Sequence, residues 1–132
     1  MGTNPSSVLQ SKVIHPELSH LIVGSAMRVL NVLKPGLDEK AYENAMVIEL
    51  RNRGVSVEQQ RRYEVFYEGE NVDTLIPDLV VGGLVIVDPK VVTDFNATHL
   101  AQMTGYLAIT GLRLAILLNF KHAELRYKRV VR

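Results

Sequence analysis

Asp78 and Asp88 stand where buried strands ought to be apolar, and Lys90 lies two residues beyond the second of them. Asp88 follows directly on the run Leu84-Val85-Ile86-Val87. An ionised carboxylate beside such a run is costly unless it is paired, hydrogen-bonded or bound to metal. In an extended strand the side chains of Asp88 and Lys90 emerge on one face. The plain reading of that spacing is an ion pair at a strand end. The chemical reading adds Asp78: two carboxylates held close together bind a hard cation such as Mg²⁺ or Mn²⁺ through oxygen. The cation polarises a phosphoryl oxygen or lowers the pKa of a bound water, and a lysine stabilises charge developing on the phosphate. Such a group suits phosphodiester hydrolysis. From spacing alone the two readings are even.

The elements that must position these residues follow from periodicity. Pro16 suits a first helical turn, and Leu18, Leu21, Ile22, Ser25, Val29 and Val32 recur at three- and four-residue steps until Pro35-Gly36 stops the helix. A second helix is expected from Asp38 to about Arg53, with Ala41, Tyr42, Ala45, Met46 and Leu50 on its core face and Gly54 just past its end. The pattern then turns to period two. One strand is expected from Val55 through Tyr67, a second from about Val72 to Val81, and a third over Leu84 to Val87, apolar on both alternations and so covered on both faces. Asn96 can cap a third helix running to Ile109 and closed by Gly111. Leu114 to Leu118 and Leu125 to Val131 supply two more strands, the last patterned as an edge. The expected order is α-α-β-β-β-α-β-β, which makes an α/β (α+β) domain with a mixed sheet flanked by helices. Its bounds are 16–132, after a loose N-terminal arm over 1–15.

Register decides whether the acids can meet. A strict two-residue turn at Gly82-Gly83 sets Asp78 opposite Val87 and sends Asp78 and Asp88 to opposite faces. A shared cation needs an odd loop, and a glycine pair supplies the positive-φ freedom for three residues with a bulge. We therefore expect Asp78 opposite Asp88. Pro89 removes a ladder donor, so the strand must bend or lose a partner there.

Pro77-Asp78 followed by Asp88-Pro89-Lys90 resembles the Pro-Asp…(Asp/Glu)-x-Lys signature of the PD-(D/E)xK nuclease superfamily, with its restriction-endonuclease-like core. Gly36, Glu39 and Tyr42 in turn resemble the Gly-x-x-Glu-x-x-Tyr motif of the GxxExxY proteins, a small family within it. Arg53-Gly54, Gln102 with Tyr106, Asn119-Phe120 and Lys128-Arg129-Val130 resemble that family in order. The resemblance covers about residues 16 to 132. It implies that Glu39, Asp78 and Asp88 hold the metal, that Lys90 is the catalytic lysine and that Gln102 supports the site. Tyr42 and Tyr106 are expected to pack or to orient acidic groups, with core packing the plainer role for Tyr42. Helical spacing adds that Glu39 and Tyr42 share a face, as do His99, Gln102 and Tyr106, so His99 can approach the site.

Composition is that of an ordinary globular chain of 132 residues, 47% hydrophobic and 22% charged. The absence of cysteine excludes disulfides, thiolate metal sites and a cysteine nucleophile, and fits a reducing, cytoplasmic setting. No stretch reaches the roughly 20 apolar residues of a membrane span. Met1-Gly2 with Ser6 matches a myristoylation pattern by chance. A net charge of +1 offers no global field for nucleic acid. DNA or RNA binding then rests on local groups: Arg51, Arg53, Arg61 and Arg62, or Lys121, Arg126, Lys128, Arg129 and Arg132. The leading expectation is a Mg²⁺- or Mn²⁺-dependent nuclease or phosphodiesterase with water as nucleophile. The near-neutral charge and small size motivate an alternative, a catalytically inactive nuclease-fold module that binds nucleic acid or protein. A plain structural subunit comes third. Tyr127 and Val131 on the edge strand suggest a homodimer contact.

Overall fold

A computed structural model of the chain describes residues 14–132. The expected N-terminal arm and the myristoylation pattern fall on residues 1–13, outside that range. Ile14 is buried in the core, and its carbonyl accepts a hydrogen bond from Arg129 Nη2 (2.5 Å).

The chain forms α1 (Pro16–Leu33), α2 (Glu39–Asn52), β1 (Val57–Gln59), β2 (Tyr63–Tyr67), β3 (Glu70–Leu75), β4 (Leu79–Val81), β5 (Val85–Lys90), α3 (Ala97–Thr110), β6 (Leu114–Asn119) and β7 (Arg126–Val131). Five strands make one mixed sheet in the order β1-β4-β5-β6-β7, in which only β5 and β6 run parallel. A parallel pair needs a crossover, and α3 provides it. Alternation then sorts the side chains. Leu79, Val81, Val85, Val87, Leu114, Ile116 and Leu118 bury against Ile22, Val29, Tyr42, Met46 and Leu50 of α1 and α2. Ile86, Ala115 and Leu117 bury against Met103 and Leu107 of α3. Both central strands are covered on two faces, as their continuous apolar runs require. No helix among the described residues is long and apolar enough to cross a membrane.

The mixed sheet flanked by helices is as expected, but two expected strands are each broken in two. Gln60 takes a left-handed φ of 57° and turns the chain out of the main sheet after β1. On the return leg Pro77, which can donate nothing to a ladder, separates β3 from β4. The residues between those breaks pair with each other, β2 against β3, as a separate two-stranded sheet with a bulge between Val65 and Phe66. The main sheet keeps only the short ends β1 and β4, paired Val57 to Val81 and Gln59 to Leu79.

The turn between β4 and β5 has the expected odd length. Gly82 and Gly83 both have positive φ (61° and 69°), and Leu84 N–H donates to Val81 C=O (3.0 Å). These are the features of a primed turn, which residues with a Cβ resist. Leu84 is the extra residue, so Val81 faces Val85, Val80 faces Ile86 and Leu79 faces Val87. Continued by one step, that register sets Asp78 opposite Asp88. A Cβ on Gly82 would lie 3.3 Å from Leu18 Cδ2 and force a side chain into the left-handed region. Gly82→Ala is therefore expected to lower stability by about 1–2 kcal/mol, read as a lower urea midpoint at unchanged m-value; equal midpoints would contradict this turn.

Candidate active site

The face of the sheet beneath α3 carries Asp88 and Lys90 in line with Ile86. Asp88 is 6% exposed, and its Oδ2 lies 3.3 Å from Lys90 Nζ. The ion pair foreseen from spacing is thus present, and it is nearly dry. Asp78, at the bend before β4, faces Asp88 across the strand pair, near enough to share a proton when one of the two is protonated.

Strand geometry also explains why Pro89 is tolerated. Lys90 C=O accepts from Phe120 N–H (2.9 Å), so Lys90 turns its backbone groups toward β6. N–H and C=O of one residue point to the same side of a strand and alternate along it. Pro89 therefore turns toward β4, and β4 does not reach that far, because Leu79 is already opposite Val87. The missing N–H costs no ladder bond. The next odd residue, Val91, gives its N–H to Glu39 Oε2 (3.0 Å), so the exposed carboxylate at the start of α2 caps the free edge of β5.

Electrostatics set Asp78 apart. Its carboxyl is pushed up to about 7, first by burial, then by the hydrogen bond and negative charge of Asp88, then by the charge of Glu43; a hydrogen bond from Gln60 acts in the other direction. Glu43 is 5% exposed. Its Oε2 accepts from Lys40 Nζ (2.9 Å), Gln59 Nε2 (2.5 Å) and Gln60 Nε2 (3.1 Å). Three carboxylates thus meet two ammonium groups here. Lys90 is spent on Asp88 and Lys40 on Glu43, while Asp78 has no cation beside it among the described residues.

On α3, Gln102 Nε2 donates to Tyr106 Oη (3.2 Å). The Tyr106 phenol is raised above its ordinary value by burial and then by the charges of Asp88 and Asp78, against a smaller lowering by Gln102. It stays a neutral O–H beside the acids. Other expected site residues lie elsewhere. Tyr42 is fully buried, stacked on Phe120 at 4.6 Å, and its hydroxyl donates to Lys34 C=O (2.6 Å) and accepts from Leu37 N–H (3.1 Å); it ties the α1–α2 turn rather than an acid. His99 Nδ1 accepts from Asn96 N–H (3.1 Å) while Asn96 Oδ1 accepts from His99 N–H (2.9 Å), a capping box that fixes the start of α3. Its reach toward the acids is not seen. Buried Asn119 brackets the segment after Lys90, donating to Val92 C=O (2.7 Å) and accepting from Val92 N–H (3.3 Å).

Sequence reasoning missed Glu43, Gln59 and Gln60. Glu43 is one helical turn beyond Glu39 and shares its face, but only the approach of Gln59 and Gln60 shows it to be buried at the site. Among the described residues no three His, Cys, Asp or Glu groups form a ready-made metal cage. Asp78 and Asp88 are the pair able to hold a hard cation. Of the basic groups, Arg51, Arg53 and Arg61 are engaged by Val57 C=O, Glu49 and Glu58, and Arg129 by Ile14.

A sequence profile of the PD-(D/E)XK nuclease superfamily matches residues 16–130. No curated protein matches the chain. Among solved structures the chain is similar to LHK-Exo in complex with dAMP, at 14% identity over 81% of this chain and 76% of that one (TM-score 0.47). It is likewise similar to an alkaline exonuclease (LHK-Exo) from Laribacter hongkongensis, at 14% identity over 86% and 82% (TM-score 0.46).

Two outcomes follow. A carboxyl whose folded pKa exceeds its unfolded 3.8 holds its proton more tightly when folded. Stability is then unaffected below that value and falls as pH rises through the window to about 7. Discounted for the solvent that reaches Asp78, the loss is about 1–2 kcal/mol. In EDTA at pH 8, Asp78→Asn is expected to raise the melting temperature by roughly 3–6 °C, with no gain at pH 4; a gain independent of pH would argue against the charged pair. Tyr42→Phe removes a buried hydroxyl that bonds two main-chain groups of the exposed α1–α2 turn and is expected to cost about 0.5–1.5 kcal/mol in urea unfolding.

Proposed function

The chain belongs to the PD-(D/E)XK nuclease superfamily, and from that premise we propose that it is a divalent-metal-dependent nuclease whose centre is Asp78, Asp88 and Lys90. The observation that carries this reading is the facing carboxylate pair with one charge unmatched: Lys90 neutralises Asp88, while Asp78 is pushed up to about 7. Such a pair needs a proton or a cation. Mg²⁺ is usually held by one or two carboxylates, with water and phosphate oxygens completing its sphere, so the donor set fits Mg²⁺ or Mn²⁺ without a closed cage. What the cation supplies there is Lewis acidity toward a phosphoryl oxygen and toward water.

The chain's own groups do the rest. The Asp78 and Asp88 carboxylates would hold the ion at the sheet, whose buried Val80, Ile86 and Leu117 keep the strands that carry them in place. The Lys90 ammonium, 13% exposed, is held at the same edge and balances negative charge as it builds on the phosphate. Tyr106 keeps its proton beside the acids and can donate to them or to a phosphate oxygen. Glu39, engaged with the Val91 N–H, contributes by fixing the strand end that carries Lys90. The nucleophile is water, and the substrate is a DNA or RNA phosphodiester.

The pattern at Gly36, Glu39 and Tyr42 supports placement in the GxxExxY group. A second copy docked on the β7 edge, where Tyr127 and Val131 are exposed, would supply two centres for a duplex. The nearly dry Asp88–Lys90 pair and the engagement of Glu39 favour one other reading, an inactive module that binds nucleic acid or protein without turnover.

One set of measurements separates the two. Labelled single- and double-stranded DNA and RNA are incubated with Mg²⁺ or Mn²⁺, and calorimetry follows Mn²⁺ alone. The nuclease reading expects cleavage abolished by EDTA and lowered at least 100-fold by Asp78→Ala, with Mn²⁺ uptake lost in that variant. Oligonucleotide binding that survives Asp78→Ala, with no cleavage under any metal, establishes the inactive module instead.

A further inference from the structure

Gln60 combines three features. Its φ of 57° is a conformation that a residue with a long side chain adopts at a cost. Its N–H donates to Asp78 C=O (2.9 Å). Its side-chain amide points both hydrogens at acids, Glu43 Oε2 at 3.1 Å and Asp78 Oδ1 at 3.4 Å. A β-strand continued past Gln59 would carry this amide along the sheet. The left-handed step brings it back over the start of β4 instead.

We propose that Gln60 is a positioning residue for the metal-binding carboxylate of Asp78, with Glu43 as its anchor. The inference rests on the nuclease reading of the Asp78–Asp88 pair. Glu43 is nearly buried, and a single oxygen, Oε2, takes Lys40, Gln59 and Gln60 together. That leaves it a poor candidate for a ligand and a firm post for an amide. Backbone and side chain of Gln60 then grip Asp78 from two directions, one on its carbonyl and one on Oδ1, which limits how the carboxylate can rotate beside Asp88. Outer groups of this kind, which orient a ligand through a hydrogen bond, typically change metal affinity 10–100-fold when removed. The strain at Gln60 is spent holding that geometry.

Gln60→Gly separates position from stability. Glycine accepts φ 57° without strain and keeps the N–H bond to Asp78, so the fold is retained or gains stability. Only the amide is lost. We expect Gln60→Gly to melt at or above the wild-type temperature while its calorimetric Kd for Mn²⁺ alone rises about 10-fold or more. On a cleavable oligonucleotide kcat falls at saturating metal and KM changes little. Gln60→Ala, which keeps the strain, shows the same Mn²⁺ defect with a lower melting temperature. Wild-type Mn²⁺ affinity in Gln60→Gly overturns the proposal and leaves the nuclease reading standing. Wild-type protein that takes up no Mn²⁺ overturns both.

Discussion

Two acids facing each other on adjacent strands are the constraint around which this structure is arranged. At about 4 Å a pair of like charges repels by about 4 kcal/mol at an effective dielectric constant of about 20, and here the surroundings are partly dry. One member is relieved by Lys90 at 3.3 Å. The other is left with hydrogen bonds from Gln60 and the raised pKa that burial and Asp88 impose. The price is met by the sheet beneath them. Leu79, Val81, Val85 and Val87 on one face, with Ile86 and Leu117 on the other, are fully buried and hold the strand pair in a single register. Without that packing the acids would part, because a slip of one residue reverses the face.

Several polar residues at motif positions bond the backbone in this structure. Glu39 caps the edge of β5, Tyr42 closes the α1–α2 turn, His99 caps α3, and Asn119 brackets Val92. Each satisfies main-chain groups near a point where the chain leaves regular structure. Their common effect is to fix the ends of α2, α3 and β5, which are the ends that surround Asp88 and Lys90. A site built on strand ends needs such supports, since the terminal residues of an element are the least constrained by its own ladder.

The acids were legible because period-two alternation makes a charge in an apolar run conspicuous, and because an odd loop follows from a Gly82-Gly83 pair that must adopt positive φ. The helix bounds were legible from Pro16, Gly54, Asn96 and Gly111. The broken strands were not, although Pro77 within an expected strand was a warning. Glu43 was hidden for a different reason. Nothing in the helical pattern sets Glu43 apart from other charged residues of α2, and only the tertiary approach of Gln59 and Gln60 buries its carboxylate. The capping role of His99 was not legible, because side-chain periodicity says which face a residue occupies, not whether a nearby N–H engages its ring.

The detached hairpin gains its meaning from where its two legs meet. The first leg leaves the sheet at Gln60 and the second rejoins it at Asp78, and the Gln60 N–H to Asp78 C=O bond joins them. A lone two-stranded ribbon is marginal in water, so β2 and β3 depend on this neck and on packing against α3. The dependence runs both ways. The residue that closes the neck also donates to the Asp78 carboxylate, so the orientation of the ribbon and the orientation of that carboxylate are set by one hydrogen-bonded junction. Because the ribbon is inserted between β1 and β4 rather than at a distant loop, its neck and the acid pair share the same residues.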